Sequence, residues 1–239
     1  MIDILVFAAH PDDAELACSG TIVKHIKQGK KVVVCDLTQG QIGSRGDAKT
    51  RLKEAEASSE ILQLTDRINL GFRDGFFEVD EKHLLEVVKI IRHYQPKVIL
   101  CNAPTDRHPD HGRASELVSR ANFLAGLLKI ETEFKGKKQK HYRTEHLYKY
   151  VQDRYLQPDF VIDITQEMET KMQSILAFSS QFYKEGEDTS APKTPISSKE
   201  FMEFVKARAR EFGRNIGVEF GEGFIAERPV GVNDITTLL

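Results

Sequence analysis

The sequence predicts a single α/β domain over residues 1–239, doubly wound and Rossmann-like, with a mostly parallel sheet and helices on both faces. Three observations carry this expectation. Short apolar runs of strand length alternate with stretches of helical periodicity. The chain has 239 residues, 40% of them hydrophobic, which suffices for one large core. Two polar, histidine-bearing motifs each follow an apolar run directly, where open parallel sheets place their ligands.

Residues 2–8 form the first apolar run, which stops at His10-Pro11. A helix begins near Asp12 or Asp13, continues over 14–28 and stops at Gly29. Valine-rich residues 31–37 read as a second strand, 39–47 as a polar loop and 49–64 as a helix. A short strand is expected at 68–71. Over 80–94 the residues Leu84, Leu85, Val87, Val88, Ile90 and Ile91 recur at helical spacing, and Pro96 blocks continuation before the compact apolar strand 98–101. Strands at 148–152 and 160–164 and helices at 166–181 and 201–212 complete the reading. Residues 184–198, polar and carrying two prolines, are expected to form a mobile surface loop, placed near the mouth of the site.

With 34 basic residues against 36 acidic and no long single-sign run, the chain carries no footprint for nucleic acid or an anionic membrane. A small-molecule partner is expected. The first residues lack a signal-peptide pattern and their apolar stretch is too short to span a bilayer, so a cytoplasmic location is expected. Cys18, Cys35 and Cys101 are scattered in apolar surroundings and read as reduced core thiols.

The chemistry concentrates in Ala9-His10-Pro11-Asp12-Asp13-Ala14-Glu15 and Arg107-His108-Pro109-Asp110-His111. His10, Asp13 and His111 offer two imidazoles and a carboxylate, the ligand set of hydrolytic zinc sites that keep one position for water. His10 and Asp13 are three apart and meet one ion from a single turn. Asp12 points elsewhere and is the candidate general base. His108 reaches the same cavity without ligating and is the candidate oxyanion stabiliser, with Asp110 expected to keep it protonated and oriented. Iron or manganese would suit the same donors, because nitrogen and carboxylate ligands select weakly. His25, His83, His93, His141 and His146 read as solvated or packed. Gln39 to Asp47 resembles an anion cradle, and Arg45 and Arg51 are candidates to clamp a substrate anion.

These two motifs resemble those of the PIG-L/LmbE family of zinc-dependent N-acetylglucosamine deacetylases. The resemblance implies His10, Asp13 and His111 as zinc ligands, Asp12 as general base, His108 as the transition-state histidine and Arg51 as a substrate contact. Gly-Ser-Arg-Gly before Thr50-Arg51, Asp-Arg-His-Pro-Asp-His and Ser180-Gln181-Phe182 are most similar to the bacillithiol-biosynthesis branch, whose members deacetylate N-acetylglucosaminyl-malate. That similarity implies an anionic aglycone and a homo-oligomer, trimeric or hexameric. Mycothiol-pathway relatives carry Tyr-Gly before the second motif. Here Asp106 and Arg107 stand there, making Arg107 a further substrate-binding candidate and Tyr183 the nearest substitute for the missing tyrosine. Two alternatives stand beside this: deacetylation or amide cleavage of another N-acetyl sugar or thiol conjugate by the same residues, and metal or sugar-phosphate binding without turnover through the loop from Gln39 to Asp47.

Overall fold

A computed structural model describes residues 1–183 and 192–238. Its elements are β1 (Ile4–Ala8), α1 (Asp13–Lys27), β2 (Val32–Thr38), α2 (Ala48–Leu62), β3 (Asp66–Phe72), α3 (Glu81–Tyr94), β4 (Val98–Asn102) and α4 (Pro109–Ala125). They continue with β5 (Glu133–Phe134), β6 (Lys137–Lys138), β7 (His146–Tyr150), β8 (Phe160–Asp163), α5 (Met168–Leu176), α6 (Lys199–Asn215) and β9 (Gly221–Ala226). One seven-stranded sheet has the order β3-β2-β1-β4-β7-β9-β8. β1 pairs in parallel with both β2 and β4, β3 with β2, and β7 with β4, while β9 runs antiparallel between β7 and β8.

Alternation along the central strands sends side chains into two cores. Leu5, Phe7, Val33, Cys35, Ile99 and Cys101 pack beneath α3 and α4, whereas Ile4, Val6, Val32, Val34 and Leu100 pack against α1. Every residue of β1 and β2 is buried, as parallel strands covered on both faces require. The three cysteines are buried free thiols. Strand order reverses between β1 and β4, so the crevice at their carboxyl ends is the switch point where such sheets take their ligands.

Helix α1 is broken at Cys18, whose φ of −140° and ψ of 15° are non-helical. The break orphans carbonyls on one side and amides on the other, and a buried ion pair takes both. Lys171 Nζ donates to the carbonyls of Glu15 at 3.1 Å and Leu16 at 2.9 Å and to Glu222 Oε1 at 2.7 Å. The Glu222 carboxylate accepts from Gly20 N at 3.0 Å and Thr21 N at 2.7 Å. Thus α5 and β9 brace the helix whose first turn carries Asp13.

One expectation on the fold is corrected, and two elements were not foreseen. The helix expected over 166–181 ends at Leu176, with a turn following at Phe178 to Phe182. Helix α4 begins at the second motif itself, and β9 is inserted between β7 and β8 from a segment, Gly-Glu-Gly-Phe-Ile-Ala, whose two glycines obscure the strand pattern. Of the loop expected over 184–198, residues 184–191 lie outside the described residues, while Thr194, Pro195 and Ile196 line the cleft described below.

Candidate active site and metal centre

The loops after β1 and β4 each turn at once into a helix, and each turn is built alike: Asp13 N donates to His10 O and His111 N donates to His108 O. At the first turn Asp12 adopts φ 116°, a left-handed conformation that costs a non-glycine residue of order 1–3 kcal/mol and persists where the surroundings enforce it. Its side chain leaves the helix end uncapped and meets Arg51 instead, with Nη2 2.9 Å from Oδ2. At the second turn Pro109 starts α4 with its φ preset, and His108 Nδ1 accepts from Asp110 N at 3.2 Å.

His10, Asp13 and His111 converge. Asp13 Oδ2 lies 3.6 Å from His10 Nδ1, and Oδ1 lies 3.2 Å from His111 Nε2. Each imidazole uses its other nitrogen on a buried carboxylate: His10 Nε2 is 3.0 Å from Asp74, and His111 Nδ1 is 2.7 Å from Asp106. Carboxylate behind imidazole is the arrangement that fixes metal-binding histidines in tautomer and direction. Asp13 is held by Gln152 Nε2 at 2.6 Å and Asn102 Nδ2 at 3.0 Å. The donors therefore fit a divalent cation. His10, His108 and His111 offer ring nitrogens within 4.8 Å of one another, and His10 with Asp74 and Asp110 forms a second such group.

Charge follows this geometry. Burial opposes ionisation of His10 and His111, but the carboxylates of Asp110, Asp13 and Asp74 lift His10 well above its ordinary value, and Asp13 with Asp106 lifts His111 to about 9. These are imidazoles surrounded by negative charge that suits a cation. Burial would raise Asp13 as well, yet His111 and His10 hold it well below the carboxylate range. Asp12 differs: burial pushes it up to about 7, with Arg51 opposing. His108 is depressed, first by burial and then by His10 and His111. With Nδ1 accepting a backbone amide, neutral His108 carries its proton on Nε2.

The cleft, about 280 Å³, is lined by His10, Asp12, Asp13, Arg51, His108 and His111, with Asp74, Arg107, Gln152, Asp153 and Arg208 among the further residues. The other expected residues divide between the cleft and its surroundings. Asp110 makes its contacts away from the His108 ring, meeting that residue's imidazole only through its own backbone amide. Its carboxylate takes Arg113 at 2.5 Å and Gly75 N at 2.8 Å and sits 3.4 Å behind His10. Arg45 does not line the cleft, and its carbonyl binds Gln181. Arg51 is present but is engaged with Asp12 and, at 2.5 Å, with Pro11 O. Arg107 lines the cleft paired with Asp153 at 2.9 Å. Tyr183 is not among the lining residues. Sequence reasoning missed Asp74, Asp106, Asn102 and Gln152. All four lie at or just beyond strand carboxyl ends, which is the signal that would have found them.

The PIG-L family profile, described as GlcNAc-PI de-N-acetylase, matches residues 5–122 and so spans both motifs. The diacetylchitobiose deacetylase of Thermococcus kodakarensis is 27% identical over 92% of this chain and 81% of its own length. A Bacillus anthracis protein, "Probable N-acetyl-alpha-D-glucosaminyl L-malate deacetylase 2", is 27% identical over 49% of this chain and 58% of its own length. Among solved structures, a conserved protein of Thermus thermophilus superposes with a TM-score of 0.85 at 34% identity, covering 98% of this chain and 99% of that one. By fold, motifs and these likenesses, the chain belongs to the PIG-L family.

Proposed function

We propose that this protein is a metal-dependent N-deacetylase that hydrolyses the acetamide of an N-acetylglucosamine unit bearing a small anionic aglycone, with N-acetylglucosaminyl-malate as the substrate. The observation that carries the reading is the convergence of His10, Asp13 and His111, each imidazole backed by a buried carboxylate, with Asp12 and His108 in the same cleft. His10, Asp13 and His111 would hold the ion, zinc by its donor set, with iron or manganese as alternatives. A divalent metal there supplies Lewis acidity toward the amide carbonyl and acidifies the attacking water.

The chain's own groups do the rest. Asp12, fixed by Arg51 and held near neutrality by burial, accepts a proton from water as it adds to the carbonyl carbon. His108 donates its Nε2–H to the developing oxyanion, a contribution of a few kcal/mol in a partly dry cleft. The C–N bond then breaks, Asp12 returns the proton to the leaving amine, and acetate and the free amino sugar depart.

A second substrate, diacetylchitobiose, is favoured by the likeness to the Thermococcus enzyme, which spans more of the chain than the likeness to the malate deacetylase. The test is acetate release from N-acetylglucosaminyl-malate, diacetylchitobiose and free N-acetylglucosamine by metal-stripped and zinc-reloaded protein. Zinc-dependent release, fastest from the malate conjugate, is expected. Faster release from diacetylchitobiose would reassign the substrate. No release from any amide, mercapturate-type conjugates included, would favour a binding protein. A homo-oligomer and a cytoplasmic location are proposed with this reading. Among the described residues no helix is long and apolar enough to cross a membrane.

A further inference from the structure

Three guanidinium groups line the cleft, and two are already neutralised: Arg51 by Asp12 at 2.9 Å and Arg107 by Asp153 at 2.9 Å. The third, Arg208 on α6, is 7% exposed and forms no ion pair among the described residues. Among the described residues its one hydrogen bond is a long one, 3.5 Å from Nη1 to the carbonyl of Asp153, and the Phe204 ring lies 5.0 Å from its guanidinium carbon. A buried arginine ordinarily has a carboxylate partner, because an unpaired charge taken out of water is costly. Burial in fact depresses Arg208 to about 10, a loss that Asp153, Asp106 and Glu222 offset only in part.

We propose that Arg208 is a specificity-determining residue that binds a carboxylate on the part of the substrate remote from the scissile acetamide. This inference rests on the deacetylase reading above and extends it by placing the aglycone's anion against α6 rather than against Arg51. The argument is one of exclusion and geometry. Arg51 spends its fork on Asp12 and Pro11 O, where it serves the general base. Arg208 is the remaining guanidinium lining the cleft, and its planar donor set suits bidentate capture of a carboxylate. Phe204 and the Asp153 carbonyl hold the guanidinium in place before substrate arrives, so little side-chain freedom is lost on binding.

The experiment compares N-acetylglucosaminyl-malate with the methyl glycoside of N-acetylglucosamine, whose aglycone is neutral, on zinc-loaded wild type, Arg208→Met, Arg208→Lys and the surface control Arg210→Met. Arg208→Met is expected to lower kcat/KM for the malate conjugate about tenfold to a hundredfold through KM, the loss of a charged hydrogen-bonded contact. It should leave the neutral glycoside within about twofold, and Arg208→Lys should recover part of the difference. Equal losses on both substrates, or an unchanged preference for the conjugate, would overturn the proposal.

Should Arg208→Met fail to fold, the wild type alone decides: the dimethyl ester of the conjugate should show the same rise in KM, and an ester that binds as well as the acid refutes the assignment. Calorimetric binding of free malate separates this inference from the activity. Malate binding that needs Arg208, with no acetate released from any substrate, would sink the deacetylase reading alone. Normal acetate release with malate binding indifferent to Arg208 would sink this one.

Discussion

Replacing Lys171 with methionine tests how the first turn of α1 is held. Lys171 and Glu222 are 2% and 3% exposed, and together they occupy the gap left where α1 breaks at Cys18. Lys171→Met removes the donor to two carbonyls and leaves the Glu222 carboxylate buried beside only the amides of Gly20 and Thr21. Breaking one side of a buried pair costs about 3–5 kcal/mol. At roughly 2–4 °C per kcal/mol for a chain of this size, Tm should fall by about 6–20 °C. The double variant Lys171→Met/Glu222→Gln removes the orphaned charge while keeping an acceptor for the two amides, and should be more stable than the single variant by at least about 1 kcal/mol. Urea denaturation with an unchanged m-value and calorimetric Tm measure both. A single variant within 2 °C of wild type (a limit of roughly 1 kcal/mol), or strictly additive losses in the double variant, would refute the reasoning.

Asp106→Asn takes the carboxylate from behind His111 and should weaken zinc affinity about 10–100-fold by chelator competition; unchanged affinity would mean that His111 does not ligate. Gly40 has φ +64° and a side chain there would collide with the Arg51 guanidinium, so Gly40→Ala should displace the partner of Asp12 and cut kcat by about tenfold or more while zinc content is unchanged. Zinc at 100 times its Kd should stabilise the stripped protein by about 2.7 kcal/mol, seen as a rise in Tm of about 5–11 °C that His111→Ala abolishes.

The parallel half of the sheet was legible in the sequence because buried parallel strands read as unbroken apolar runs, and because both motifs sit where those runs stop. The approach of His10, Asp13 and His111 to one another was legible for the same reason, spacing within each turn and adjacency of β1 and β4 in the sheet. What escaped notice was long-range. Asp74 and Asp106 are single carboxylates in loops, indistinguishable in sequence from solvated ones until folding puts them behind His10 and His111. Lys171 and Glu222 carry no motif, and their pairing across α1 depends on a helix break that no local pattern announces. The arginines misled in the opposite sense. Arg45 lies within the glycine-bearing loop expected to cradle an anion, while Arg208, without any motif around it, lines the cleft.

The most direct test of the account is acetate release from N-acetylglucosaminyl-malate by zinc-loaded wild type and Asp12→Asn, with zinc content measured on the same samples. Removal of a positioned general base should lower kcat by about 10²–10⁴-fold while the metal stays bound. Asp12→Asn turning over near the wild-type rate with full zinc would contradict the assignment of Asp12 and the hydrolytic mechanism built on it.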